Sequence, residues 1–172
     1  MKKLLLSIAL AFISYADTTI VIPANGMTKF QIHSAIDLWK ANLYSNSNYV
    51  TRVSTDDNVV IKGAYLTSGS YVQGWVEGQV EYTVNISIRE GRYRVVINGF
   101  THKSTSRIIK YDGNYGNIYS NVGQGSRQLN ANKYRFIMKQ ITTIRALAES
   151  EQRSIISSLS SYVKSAPPEE YW

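Results

Sequence analysis

Two histidines, twelve carboxylates and no cysteine make up the reactive chemistry of this 172-residue chain. Without cysteine there is no disulfide, no thiol nucleophile and no cysteine-ligated zinc. His33 and His102 lie far apart in sequence, and neither belongs to a metal-ligand pattern such as two histidines at i and i+4. Both are expected at surface or boundary positions. Glu77, Glu81 and Glu90 flank one hairpin, and Asp56-Asp57 sits in a turn. A hydrolase would need these distant groups to converge on one polar pocket. Gly123-Gln124-Gly125-Ser126 is not followed by the lysine of a phosphate-cradling loop. The expectation is a non-enzyme with no catalytic residue, no metal site and no cofactor.

Binding chemistry is better represented. Arg89, Arg92 and Arg94 cluster around one hairpin turn, and Arg92 and Arg94, two apart on a strand, project to one face. Tyr111, Tyr115 and Tyr119 recur every four residues among Gly and Asn. Tyrosine offers a large amphipathic contact area at low entropic cost. Arg92, Arg94, Tyr111, Tyr115 and Tyr119 are therefore the candidate interaction surface. The alternatives are a solvated sheet face for the arginines and tyrosines packed back onto the sheet. Nucleic-acid binding usually needs a broader cationic patch interleaved with aromatics, which argues against a nucleic-acid partner.

The N-terminus reads as a secretory signal peptide over residues 1–16. Lys2 and Lys3 precede an apolar run over 4–13 broken only by Ser7, and Ser14-Tyr15-Ala16 offers small residues at the cleavage site. Ten residues are too few to span a bilayer, which takes about 20. The expected mature chain is exported, periplasmic or extracellular, with no transmembrane segment. It keeps 17 of the 19 basic residues against 12 acidic ones, a charge of +5 instead of +7.

The elements that must position these groups follow from periodicity. Residues 18–22 form a short β-branched strand ended by Pro23 and Asn25-Gly26. Thr28 with Gln31 three residues on is a capping-box pattern, and Ile32, Ala35, Ile36, Trp39 and Leu43 follow at helical spacing. Strands over 49–55 and 59–66 are joined through Asp56-Asp57-Asn58. Val80, Tyr82, Val84, Ile86 and Ile88 alternate with polar residues, Glu90-Gly91 turns, and 92–100 returns with Tyr93, Val95 and Ile97 on one face. Another strand is expected near 107–111. A helical pattern runs over 132–164, where a break or bend near Glu149–Glu151 is one way to fit about 50 Å of helix onto a domain of this size. Pro167-Pro168 ends it, leaving a tail over 167–172. One domain over 17–166 is expected.

Sequential hairpins after one crossover imply a mostly antiparallel sheet, and the two amphipathic helices are the available cover for its apolar face. The expected fold is α+β, an antiparallel sheet of about five to six strands packed by two helices on one face. If sheet and long helix do not interdigitate fully, a cavity remains between them. Tyr82, Val84, Ile86, Tyr93, Val95, Ile97, Ile137, Ile141 and Ile144 would line it and would suit a small apolar ligand; alternatively they simply fill the core.

Ala35-Ile36-Asp37-Leu38-Trp39, Ile61-Lys62-Gly63 and the hairpin Tyr82-Thr83-Val84-Asn85-Ile86 to Glu90-Gly91-Arg92-Tyr93-Arg94 resemble the exported bacterial domain of unknown function 4468. The resemblance covers residues 18–101 and implies a TATA-binding-protein-like fold. The long C-terminal helix is similar to the helix-grip variation used by Bet v 1 and START lipid-binding proteins. The stretch 111–125 departs from the pattern. The resemblance implies no catalytic residue. The reading that results is a non-catalytic binding or structural module of the bacterial envelope with an envelope protein or glycan as partner; the alternative is a carrier of a small apolar ligand.

Overall fold

A computed structural model of the chain describes residues 18–44, 50–67, 77–104, 115–120 and 131–166. The leader, the strand expected near 107–111, Tyr111 and the tail from Pro167 lie outside the described residues. Among the described residues six strands form one antiparallel sheet: β1 (Thr18–Pro23), β2 (Thr51–Thr55), β3 (Asn58–Thr67), β4 (Gly78–Arg89), β5 (Arg92–Ser104) and the short β6 (Gly116–Asn117). The order across the sheet is β1-β5-β4-β3-β2. β1 pairs with the first half of β5 and β6 with its last residues. Helices α1 (Lys29–Leu43) and α2 (Ala131–Ser165) complete the fold.

Local chemistry accounts for the boundaries. Thr28 Oγ1 accepts the Gln31 N–H at 3.2 Å, and Gln31 Oε1 accepts the Thr28 N–H at 2.8 Å, so the capping box closes and starts α1. α1 then carries the chain from the β1 edge of the sheet to the β2 edge. It buries Ile32, Ala35, Ile36 and Trp39, whereas Leu43 is exposed. Asp56-Asp57 closes the β2–β3 hairpin, with Thr55 Oγ1 both donating to the Asn58 carbonyl and accepting its N–H. Gly91, at φ +68°, supplies the left-handed residue of the β4–β5 turn.

The register is irregular between Thr51 and Val53 of β2, and strict alternation also fails in the long hairpin. In β5, Gly99 adopts φ +73° where the β4–β5 register shifts between Glu81 and Thr83, so two residues, Gly99 and Phe100, stand opposite Tyr82. Tyr93, Val95 and Ile97 face the core before this bulge; Phe100 and His102 face it afterwards. The extra residue changes which parity points inward.

α2 is a single uninterrupted helix of 35 residues, about 52 Å long. Its apolar stripe of Ile141, Ile144, Ala148, Ile155, Leu159 and Val163 is interrupted at Glu151 and Gln152. Both polar residues have partners on the sheet: Tyr82 Oη donates to Glu151 at 3.0 Å, and Thr18 Oγ1 lies 2.9 Å from Gln152 Oε1. The helix needs no break there because the sheet meets its polar side chains. Trp39 Nε1 donates to Ser158 Oγ at 3.0 Å and joins the two helices over the same core.

Candidate functional site

The inner face of the sheet is filled. Val84, Ile86, Val95, Ile97, Ile141 and Ile144 are fully buried, Tyr82 and Tyr93 nearly so, and Ile137 is half-buried on the first turns of α2. Tyr82 lies flat over Gly63, where an added Cβ would come within 2.4 Å of its ring. Its ring stacks on Phe100 at 5.6 Å and tilts against Tyr65 at 6.2 Å. Burial pushes the Tyr82 hydroxyl well above its ordinary pKa, reinforced by Tyr44 and Glu151. Burial also pushes Tyr93 up to about 12. The middle of the helix–sheet interface is thus a hydroxyl and carboxylate cluster set in aromatic rings.

A cleft of about 330 Å³ opens at one end of this interface, lined among others by Ile22, Met27, Gln31, Tyr93, Ser160 and Lys164. Of the nine residues expected around a cavity, only Tyr93 lines it.

Tyr115 and Tyr119 pack against the core as partly buried rings. Tyr119 meets Phe100 edge-on at 5.8 Å, and the Arg145 guanidinium sits 5.7 Å from its ring centre while Nε donates to the Ile118 carbonyl at 2.6 Å. Tyr115 lies 5.2 Å from the ring of His102.

The histidines occupy opposite ends of the sheet. His102 pairs with Val80 on β4, whereas Ser54, which contacts His33, aligns through Val59 with Ile86. Six β4 residues separate these levels, about 20 Å. His102 is fully buried, against the surface or boundary position expected for it, because the Gly99 bulge turns it inward. Its Nε2 lies 3.5 Å from Thr67 Oγ1, and Gly78 leaves room for the ring. His33 joins two elements: Nδ1 is 3.3 Å from Asp37 Oδ2 and Nε2 is 3.3 Å from Ser54 Oγ on β2. Lys40 Nζ holds the other Asp37 oxygen at 2.6 Å. A hydroxyl, an imidazole and a carboxylate in line is the order used to activate a serine. Here Ser54 is exposed on an edge strand, and neither of the two clefts described here is lined by this set. Ser54, Asp37 and Lys40 carried no sequence signal, since their meeting depends on α1 crossing to the β2 edge.

The outer face of the sheet is mostly polar, with Val21, Val60, Leu66 and Val96 among its apolar residues. Thr83, Asn85 and Ser87 of β4 stand beside Asn98, Val96 and Arg94 of β5, and Lys62 and Asn58 of β3 lie on the other side. Both helices lie against the opposite face. Lys62 and Lys103 reach Glu81 at 3.7 and 2.6 Å, and the Lys103 hydrogen bond is the main cause of the lowered Glu81 pKa. At the hairpin end, Arg89 stands opposite Arg92, and Ser87 opposite Arg94. These residues, with Val21 of β1 and Asp57, line a recess of about 400 Å³.

The model of a family described as a domain of unknown function (DUF4468) with TBP-like fold matches residues 19–103. No curated protein matches the chain in sequence. The crystal structure of a TBP-like protein from Parabacteroides distasonis ATCC 8503 superposes with a TM-score of 0.55 at 12% identity, over 88% of this chain and 94% of that one. A DUF4468 family protein from Bacteroides ovatus ATCC 8483 aligns with a TM-score of 0.47 at 16% identity, over 90% of this chain and 89% of that one. The first likeness shows the α+β TBP-like fold. The family match over residues 19–103 runs from the second residue of β1 to the penultimate residue of β5, so what this chain shares with the DUF4468 model is strands β1 to β5 and the first helix.

Proposed function

We propose that this protein is an exported, non-catalytic binding module of the bacterial envelope and that it engages its partner through the outer face of the sheet. The observation that carries the reading is the asymmetry of the sheet: two helices cover one face, while the other presents Thr83, Asn85, Ser87, Asn98, Arg92 and Arg94. Hydroxyl, amide and guanidinium groups spread over two adjacent strands suit a polar partner such as a glycan or a hydrophilic protein surface. The leader pattern over 1–16 supports export.

The test is affinity capture from native envelope extract with immobilised mature protein. The expected result is a stoichiometric partner that is retained by the unaltered protein and lost when Asn85→Trp obstructs the centre of the outer face. Capture unaffected by Asn85→Trp, or repeated failure to capture anything, overturns the reading.

A further inference from the structure

The recess at the β4–β5 hairpin carries a cost that folding does not require. Arg89 and Arg92 stand directly opposite each other across the strands, and Arg94 follows two residues on. Like charges directly opposite on a sheet destabilise the pair. Among the described residues, every other cation of the sheet and first helix except Arg52 has a carboxylate partner: Lys29 with Asp57, Lys40 with Asp37, Lys62 and Lys103 with Glu81. Among the described residues, Arg89, Arg92 and Arg94 have no carboxylate at ion-pair distance; Arg94 Nη2 only reaches Ser87 Oγ at 3.5 Å. The one carboxylate lining the recess, Asp57, is engaged by Lys29.

Three guanidiniums and a hydroxyl around about 400 Å³ form a receptor for an oxyanion, since the arginine fork matches carboxylate and phosphate oxygens two at a time. What adjoins the recess narrows the ligand. Asn58 pairs with Ser87, Asn85 with Val96, and Thr83 with Asn98. These side chains offer donors and acceptors for sugar hydroxyls. Tyr93 also lines the recess but is buried on the helix side of the sheet, and the described residues of the outer face include no aromatic, so no exposed ring is offered for a base to stack on, as single-stranded nucleic acid requires. We infer that the recess binds the carboxylate of an acidic glycan whose neighbouring sugars lie along the outer face. This rests on the proposal that the outer face is the binding face.

The experiment is calorimetric titration of the folded mature protein with a defined tetragalacturonate at low ionic strength. A neutral dextran oligomer, inorganic phosphate and an oligothymidylate of equal charge are titrated in parallel. Tetragalacturonate is expected to bind saturably, more tightly than the other three, and to weaken as salt is raised. R92Q/R94Q should weaken it at least tenfold, R89Q several-fold, and K139Q, exposed on α2 and away from the outer face, less than twofold. In the absence of ligand R92Q should unfold at a slightly higher denaturant concentration than the unaltered protein, because it removes the Arg89–Arg92 repulsion. No saturable binding, binding indifferent to R92Q/R94Q, or tighter binding of oligothymidylate or phosphate overturns the inference. A partner captured through the outer face that does not depend on the arginines overturns the glycan while leaving the binding-face reading intact; a partner indifferent to Asn85→Trp removes both.

Discussion

At the scale of single residues, the molecule depends on close approaches that admit one side chain size. Gly63 is the clearest: the Tyr82 ring occupies the place of its Cβ, 2.4 Å away. Gly63→Ala should cost about 1–3 kcal/mol through overpacking, read as a lower urea midpoint with an unchanged slope. Tyr82 and Tyr93 govern a second property. Both are buried as neutral hydroxyls with raised pKa values, Tyr93 to about 12. The unfolded chain releases these protons near pH 10, before the folded one does, so above that pH the folded state binds more protons and stability falls as pH rises. Each group removes about 1.4 kcal/mol per pH unit until its folded value is reached. The urea midpoint is expected to hold steady up to about pH 9.5 and then drop steeply. Tyr93→Phe should flatten the drop, and an unchanged slope in that variant would count against burial of the hydroxyl as its cause.

At the scale of elements, α2 is held to the sheet at its polar interruption as well as by its apolar stripe. Removing Glu151 strands the Tyr82 hydroxyl in a buried setting. Glu151→Leu should therefore cost about 1–3 kcal/mol. Tyr82→Phe alone should cost about 1 kcal/mol. The double variant should be less destabilised than the sum, a coupling that a double-mutant cycle measures. Additive effects would show that Glu151 and Tyr82 act independently. The same scale explains what sequence reading could and could not reach. The capping box at Thr28, the alternation of β4 and the Glu90-Gly91 turn were legible because each depends on residues within a few positions. The inward turn of His102 was not legible, because strand parity beyond Gly99 depends on which β4 residue absorbs the bulge. The continuity of α2 likewise depends on Tyr82 and Thr18, more than sixty residues away.

At the scale of the whole molecule, the proposed export predicts that protein recovered from outside the cytoplasm of an expressing bacterium has the intact mass of residues 17–172. A recovered mass that includes residues 1–16 would refute the leader. Among the described residues no helix is long and apolar enough to cross a membrane. Sequence alone determined the main element types and the two-layer α+β class, because hydrophobic period, caps and turns are local and additive; the DUF4468 likeness rested on particular motifs, and the family model matches residues 19–103. Only the tertiary structure decided which of those residues meet. It packed Tyr115 and Tyr119 onto the core, set His33 against Ser54, buried His102, and gathered Arg89, Arg92 and Arg94 with Val21 around one recess. Those meetings follow from strand order and register, which are settled by the joint burial of one sheet face under two helices and by no segment on its own.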